Sequence, residues 1–239
     1  MHRRPATKIS LTCNHCVAKS LSILCTLSDE EMSVIDSQKS SLVFYPGQLI
    51  FHEGAYPNGM YILYNGKVKV SKIGDEGKEK IVRFAKTGDL LGYRAMLSGD
   101  MYTASAYAID EVTICYIPKE TFYKVIQRRP ELSFKLMKLL ADDLKLAERN
   151  STNIAQKNVR ERMAETLLIL KETYGFEDDN ITLNVCLTRE EIASVAGTSR
   201  ETATRLLSEF NADGIIALFG KKIRLVNIPQ LIHTARLMD

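Results

Sequence analysis

The sequence predicts an α+β chain with three successive parts: an antiparallel, jelly-roll-like β-roll, a long helix and a C-terminal winged helix-turn-helix. Two observations carry this prediction. From about Leu42 to Pro118, short segments of alternating polarity are separated by glycines, as in a roll of antiparallel strands. After Pro118 the apolar residues recur at spacings of three and four, which is typical of amphipathic helices.

The strands are predicted from the segments "MYILYNGKVKVSKI" and "SAYAIDEVTICYIP", which are rich in β-branched and aromatic residues at period two. In "KVKVSKI" basic and apolar residues alternate, so one face of that strand should be wet and the other buried. Glycine-containing turns are expected between these strands. That spacing favours a roll or sandwich over βαβ units.

A long helix is expected from Glu131 to about Gln156, because neither glycine nor proline interrupts this stretch. One line of residues along it has the spacing of a two-stranded helical contact. This line, called the seam below, consists of Met137, Leu140, Leu144, Ala147, Ser151 and Ile154. Flanking positions are polar, which favours dimerisation over packing of the helix on its own domain. A further helix should end at Gly175, and "ITLNVCL" should form a short strand.

A helix-turn-helix is predicted after Leu187. Thr188 and Glu191 have the spacing of a capping box, Gly197 ends the first helix, and Ser199 or Thr198 can cap the second. In the second helix the residues expected to face inward are Ala203, Leu206, Leu207 and Phe210. The residues expected on its outer face are Arg200, Glu201, Thr204, Arg205 and Ser208. The segment "GIIALFGKKIRLVN" should then form a hairpin wing.

The outer face of the second helix has the chemistry needed to bind double-stranded DNA. An arginine can donate two hydrogen bonds to guanine O6 and N7, and a glutamate can accept one from the cytosine amino group. Lys221 and Lys222 on the wing can contact phosphates, as can backbone N–H groups at the helix start. The alternative is that Arg200, Glu201 and Arg205 only form surface ion pairs, which i,i+4 spacing on a helix permits.

Composition and charge restrict the remaining classes of function. The hydrophobic fraction of 45% and the charged fraction of 26% are typical of globular proteins, and no apolar run is long enough to span a membrane. The N-terminus lacks the apolar segment of a secretory signal, so a cytoplasmic location is expected. Ten Lys/Arg oppose twelve Asp/Glu from Val159 onward, so only local clusters could indicate nucleic-acid binding.

The segment "LTREEIASVAGTSRETATRLL" closely resembles the DNA-binding helices of the CRP/FNR family of bacterial transcription regulators. Upstream, "YPGQLIFHEGAYPNGMYILYNGKVKV" and "GDLLGYRAMLSGDMYTASAYAIDEVTICYIPKETF" are similar to the sensor roll of that family. The resemblance implies an N-terminal arm over residues 1–28, a sensor roll over 29–130, a dimerisation helix over 131–157 and a DNA-binding domain over 158–239.

The resemblance also implies partners and roles. The residues implied to contact DNA are Thr188, Ser199, Arg200, Glu201, Thr204, Arg205, Lys221 and Lys222. Among them Arg200, Glu201 and Arg205 match the base-contacting positions, and Ser199 matches a phosphate-contacting one. The Arg200–Glu201 pair is similar to the cyclic-AMP receptor branch, which binds TGTGA-like half-sites. The expected partners are a second copy of the chain, a palindromic DNA site with half-sites one helical turn apart, and RNA polymerase, with no membrane.

The sequence identifies the signal that the roll would sense less closely than it identifies the DNA-binding residues. Cyclic AMP is not expected, because Tyr93 stands where the nucleotide-binding branch has a glutamate for the ribose. Tyr102–Thr103 stands where that branch has an Arg–Ser pair for the phosphate, and a buried phosphate without such donors is unfavourable. A haem or a small organic effector has no residue signature in the roll.

The cysteines match another branch of the family, which senses oxygen through a [4Fe–4S] cluster. By this resemblance Cys13, Cys16, Cys25 and Cys115 would be the ligands, although the C-x2-C-x8-C spacing has a longer second gap than the best-known member. Zinc binding, thiol redox sensing and burial as small apolar residues remain open for these four cysteines. Cys186 is expected in the core.

An enzyme is not expected. No nucleophile–base pair, phosphate-binding loop or metalloprotease spacing occurs, and "GDEGK" is predicted to be a hairpin turn. The four histidines are scattered along the chain.

Overall fold

The computed structural model describes residues 6–13, 16–74 and 77–236. Contacts divide the chain into two units. The first comprises Met1–Ile73 with Val82–Lys145, and the second comprises Gly74–Ile81 with Leu146–Asp239. The predicted fold class, an antiparallel roll, a long helix and a C-terminal winged helix-turn-helix, is confirmed. In the described part of the chain, no helix is both long enough and apolar enough to cross a membrane.

The roll contains a five-stranded sheet of order β1-β2-β9-β4-β7 and a four-stranded sheet of order β3-β8-β5-β6. Its strands are β1 (Thr7–Ile9), β2 (Ser40–Phe44), β3 (Leu49–Phe51), β4 (Gly59–Asn65), β5 (Val68–Ile73), β6 (Glu79–Ala85), β7 (Leu90–Leu91), β8 (Ser105–Ala108) and β9 (Val112–Pro118). The longest ladders pair β9 with β2 and with β4, both antiparallel.

Strand β9, at the centre of the five-stranded sheet, is buried on both faces. On β9, Val112 and Ile114 belong to the core shared with the four-stranded sheet. Cys115 and Ile117 belong to a second core, which contains residues from the helices. The helices of this unit are α1 (Val17–Leu21), α2 (Asp29–Gln38), α3 (Tyr93–Ser98), α4 (Lys119–Arg128) and the start of α5 (Pro130–Gln156), with a 3-10 turn at Ile23–Thr26.

The described N-terminal residues are part of the roll. Thr7 pairs with Val43 as β1 adds to the edge of the five-stranded sheet. Cys13 is buried in the second core, and Lys39 donates hydrogen bonds from its ammonium group to the Leu11 carbonyl and the Asp36 carboxylate. The segment expected as an arm therefore contributes a strand and a core residue.

The long helix α5 begins inside the roll and then becomes exposed. Leu132 and Leu136 are buried in the second core, and the helix starts at Pro130, one residue earlier than expected. Along the seam, Met137, Leu144 and Ile154 are more than half exposed, Ala147 and Ser151 are exposed, and Leu140 packs partly against the core. Most of the seam therefore has no partner among the described residues of this chain.

The second unit holds α6 (Val159–Tyr174), α7 (Arg189–Ala196), α8 (Arg200–Ala212), β10 (Ile216–Phe219), β11 (Lys222–Leu225) and α9 (Ile228–Thr234). The strand expected at "ITLNVCL" is wrong as a regular element. Within this segment Thr182 forms an isolated bridge to Arg224, and Leu183 forms one to Phe176. Cys186 is exposed, not buried as expected, since Val185 and Leu187 on either side take the inward positions.

A buried carboxylate anchors the last turns of α5 to α6. Glu165 on α6 is only 4% exposed. Its oxygens accept hydrogen bonds from Arg149 Nη2 at 3.0 Å, Asn153 Nδ2 at 2.9 Å and Lys157 Nζ at 2.8 Å. The three donors are four residues apart along α5 and its end, so they share one face of the helix.

Replacing Glu165 with alanine should destabilise this unit by about 2–4 kcal/mol, because the buried Lys157 ammonium and the Asn153 amide would lose their acceptor. Chemical denaturation followed by circular dichroism measures the change. Glu172→Ala is the matched control, since Glu172 is an exposed residue of the same helix, and should change stability by no more than about 0.5 kcal/mol. Equal effects of the two substitutions would contradict the assignment.

Candidate nucleic-acid interface and sensor pockets

The two helices of the helix-turn-helix begin and end where local sequence signals place them. Thr188 caps α7 in a reciprocal box with Glu191, whose Oε2 accepts from the Thr188 backbone N–H at 2.8 Å. Gly197 ends α7 in the left-handed region at φ 63°. Ser199 caps α8 by accepting from the Thr202 backbone N–H at 3.2 Å. The capping predicted for this motif is confirmed.

Helix α8 has one buried and one exposed face. Ala203, Leu206, Leu207 and Phe210 are buried, as expected. The residues implied to contact DNA on this helix, Arg200, Glu201, Thr204 and Arg205, are exposed.

Glu201 and Thr204, on the exposed face of α8, have partners within the protein that determine which hydrogen bonds they can form with a base. A backbone N–H of the first turn, the Ser199 hydroxyl and the Arg200 guanidinium lower the pKa of Glu201, so it is an ionised acceptor at neutral pH. The Thr204 hydroxyl donates to the Arg200 carbonyl at 2.8 Å, so its proton is already used within the helix.

Arg205 is held in an ion pair on its own helix. Its Nη1 contacts Glu209 Oε1 one turn further on, and Glu209 Oε2 accepts from Arg160 Nη1 at 2.9 Å. The alternative of surface ion pairing is therefore present for this arginine, with Glu209 and not Glu201 as its partner. The sequence did not indicate Arg160, which lies 49 residues from its acceptor.

The wing is the antiparallel hairpin β10–β11, with Lys221 exposed in its turn. Lys222 Nζ lies 2.7 Å from Glu177 Oε2, and this carboxylate raises the pKa of Lys222. Arg224 stacks on the Phe219 ring at 4.4 Å. Lys221 is therefore better placed than Lys222 to bind a phosphate, because the Lys222 ammonium already contacts a carboxylate.

Arg189 is a further residue at this surface that sequence reasoning missed. Its Nη2 donates to the Gly220 carbonyl in the wing turn at 3.3 Å, which joins the first turn of α7 to the wing. Its Nη1 is buried and, in the part of the chain that the structure describes, lacks a hydrogen-bond partner. The only local signal was an arginine directly after the capping Thr188.

The roll contains a small pocket lined by the residues on which the expectation against cyclic AMP is based. Tyr93, Tyr102 and Thr103 line it, together with Arg83 and Arg94. The Tyr102 ring stacks on Phe51 with 4.2 Å between ring centroids, so aromatic side chains fill part of this space. The expectation against cyclic AMP remains a prediction.

Tyr93 also connects the roll to the long helix. Its hydroxyl donates to the Asp143 carboxylate on α5, and Arg94 Nε lies 3.6 Å from the same oxygen. The Arg94 guanidinium is therefore directed towards the Asp143 carboxylate on α5. Tyr93 therefore links α3 to α5.

A second pocket brings three of the four predicted cysteine ligands together. Cys13, Cys16 and Cys115 line it, with Lys39 at its edge. Burial, followed by the hydrogen bond to Asp36, raises the pKa of Cys13 to about 12, and burial raises that of Cys115. The Cys115 Sγ lies 3.9 Å from the Ser41 hydroxyl.

Cys25 does not join these three thiols. It is exposed, and its Sγ accepts from Lys135 Nζ at 3.2 Å. Among the described residues no group of three or more His, Cys, Asp or Glu side chains is arranged to hold a metal ion. A [4Fe–4S] cluster needs four thiolates, so the four cysteines as arranged do not fit that group.

Two family models match the chain. The cyclic nucleotide-binding domain matches residues 41–129, and the Crp-like helix-turn-helix domain matches residues 161–234. The first match covers most of the roll, and the second covers α7, α8 and the wing.

Known proteins are similar along nearly the whole chain. The fumarate and nitrate reduction regulatory protein of Escherichia coli K12 is 30% identical over 228 residues, which is 92% of this chain and 90% of that protein. A CRP-like cAMP-activated global transcriptional regulator of Mycobacterium tuberculosis is 29% identical over 206 residues, which is 86% of this chain and 92% of that protein. A solved CRP/FNR-family transcriptional regulator from Thermus thermophilus aligns with a TM-score of 0.70 and 26% identity, covering 82% of this chain and 98% of that one.

The burial of the thiols predicts their order of reactivity. In the reduced, metal-free protein, a short pulse of iodoacetamide at about pH 8 should modify Cys25 and Cys186 first, because both are exposed. Cys13 and Cys115 should react last, since they are buried and their pKa values are raised. Peptide mass spectrometry measures the order, and modification of Cys115 as fast as Cys25 would contradict the pocket.

Proposed function

Because the chain belongs to the CRP/FNR family of transcription regulators, we propose that it is a homodimer that binds a palindromic DNA site and responds to a signal at its roll. It acts in the cytoplasm with RNA polymerase as a partner, and it carries out no catalysis. The observation that carries the proposal is the capped helix α8, which exposes Arg200, Glu201 and Arg205 on one face while its other face is buried.

DNA recognition combines these three side chains with phosphate contacts. Arg200 and Arg205 each present donors that match a guanine edge, and the ionised Glu201 is an acceptor for a cytosine amino group. Ser199, Lys221 and the first backbone N–H groups of α8 can bind phosphates. The second unit has a net charge of −2 from Val159 onward, so its affinity for DNA depends on this local surface.

Dimerisation is assigned to the exposed seam of α5. Met137, Leu144 and Ile154 are 53%, 61% and 56% exposed, which is unusual for large apolar side chains on one helical line. Pairing with the same helix of a second copy would bury them at the a/d spacing. Two copies related by a two-fold axis would present two α8 helices to two half-sites.

The sensory element is the pocket lined by Cys13, Cys16 and Cys115. A [4Fe–4S] cluster, which the resemblance of the cysteines to the oxygen-sensing branch implies, would also need Cys25, which lies outside the pocket in this arrangement. A thiol-redox response needs no fourth ligand, and Cys16 is the pocket thiol that is not buried. The placement of Cys25 outside the pocket supports the thiol-redox response over a four-cysteine cluster.

Replacing Arg205 with alanine should weaken binding to the cognate site by about 1–3 kcal/mol and relax base preference at one position per half-site. Titration of duplex DNA measures the affinity, and selection from random duplexes measures the preference. Lys221→Ala is the control, since loss of a phosphate contact should weaken binding to all sequences alike. An unchanged preference in Arg205→Ala would refute the assignment.

Replacing Cys115 with alanine should abolish the response of DNA binding to oxygen, and with it any bound iron and sulfide, because this thiol is shared by both candidate sensors. Iron, acid-labile sulfide and zinc are assayed after anaerobic purification, and DNA binding is compared before and after exposure to air. Cys186→Ala should behave as the wild type. A normal oxygen response in Cys115→Ala would rule out the pocket as the sensor.

The Cys25→Ala variant separates the two candidates. Loss of iron, sulfide and the oxygen response together would assign a four-cysteine cluster. Retention of the response in metal-free protein would assign thiol chemistry at the pocket.

A further inference from the structure

We propose that Glu209 is a positioning residue that determines base specificity, because its carboxylate orients Arg205 for a base edge and withholds it from the phosphates. This inference rests on the proposed function, since it assumes that Arg205 contacts a base. It adds a residue that lies outside the DNA-contacting set expected from the sequence.

Glu209 holds Arg205 from a fixed position. It lies one turn beyond Arg205 on α8, and its Oε1 accepts from the Arg205 Nη1. Its Oε2 accepts from Arg160 Nη1 on α6 at 2.9 Å. The two oxygens of one carboxylate are thus each engaged by a different arginine, so the side chain cannot rotate without breaking one of the two ion pairs.

The second arginine is itself anchored. The Arg160 guanidinium lies 4.7 Å from the centroid of the Phe210 ring, and Phe210 is fully buried in the core. Arg160 Nη2 also donates to Asp213 Oδ2 at 2.6 Å, at the end of α8. The result is an ion-pair ladder in the order Arg205, Glu209, Arg160 and Asp213.

The ion-pair ladder contributes little to folding stability, but it restricts the orientation of the Arg205 side chain. Exposed i,i+4 ion pairs contribute little to folding, and the Arg205 side chain is 63% exposed. A free arginine side chain has many rotamers and loses them when it docks. An arginine already held by Glu209 has lost part of that freedom before DNA arrives, which favours the one geometry that the ladder allows.

The held guanidinium keeps enough donors for a base. Arginine has five N–H donors, and among the described residues only Nη1 of Arg205 has a partner. Nε and Nη2 remain available for guanine O6 and N7. Without Glu209, Arg205 could instead turn to a phosphate, a contact that carries no sequence information. The carboxylate also repels phosphates, which disfavours docking in the wrong register.

The test compares two duplexes bound by the full-length dimer. The first carries the palindrome chosen by selection with the wild-type protein, starting from TGTGA-like half-sites. The second differs only at the guanine whose preference is lost in Arg205→Ala. Glu209→Ala should lower the ratio of the two affinities by about 5- to 20-fold, mainly by raising affinity for the altered duplex. Glu209→Gln, which keeps one acceptor oxygen, should give an intermediate ratio.

Asp213→Ala is the matched control for charge. It removes the same charge from the same end of α8 and contacts Arg160 but not Arg205. It should raise affinity for both duplexes and lower their ratio clearly less than Glu209→Ala does, because Glu209 keeps its direct contact with Arg205. A ratio that falls as far in Asp213→Ala as in Glu209→Ala would assign the effect to bulk charge and overturn the proposal.

The remaining outcomes separate this inference from the function on which it rests. If Glu209→Ala leaves the ratio within about twofold of wild type while Arg205→Ala collapses it, the role of Glu209 is refuted and the DNA-binding assignment stands. If Arg205→Ala alters no base preference, Arg205 does not contact a base, and the role proposed for Glu209 fails with that assignment. Circular dichroism melting curves verify that each variant is folded.

Discussion

The roll depends on one constraint: its five-stranded sheet is apolar on both faces, and both faces must be covered. Val112 and Ile114 face the four-stranded sheet, whereas Cys115 and Ile117 face the helices. Burial of each large apolar side chain contributes about 1.5–3 kcal/mol, so leaving the second face open would cost more than the stability of a typical domain. The N-terminal residues, α2, α4 and the start of α5 supply that cover. The cysteine pocket is a consequence, since covering this face puts Cys13 beside Cys115.

In the DNA-binding unit, two of the cations expected to contact DNA already have an acidic partner. Arg205 is paired with Glu209, and Lys222 with Glu177. DNA must compete with these carboxylates, so a contact forms only where the geometry of the base or phosphate is better than that of the internal partner. This arrangement is consistent with a net charge near neutrality, because the acidic residues that lower the overall charge also order the basic ones.

The elements that follow from local signals could be predicted in detail. The capping box of Thr188 with Glu191 and the inward face of α8 depend on residues within four positions of each other. The placement of Cys25 and Cys186 could not be predicted, because the exposure of a small side chain depends on which distant surfaces cover it. The same is true of "ITLNVCL", whose alternation was correct but whose residues form only isolated bridges, to Phe176 and Arg224.

The sequence by itself determined the order of the elements, the ends of the DNA-binding helices and the residues that α8 exposes, because these depend on hydrogen bonds and apolar spacing along a short stretch of chain. Tertiary structure alone decided which thiols share a pocket, that Tyr102 stacks on Phe51, and that Arg160 anchors Glu209. Such contacts join residues tens of positions apart. They form only when burial of the apolar faces has brought those segments together.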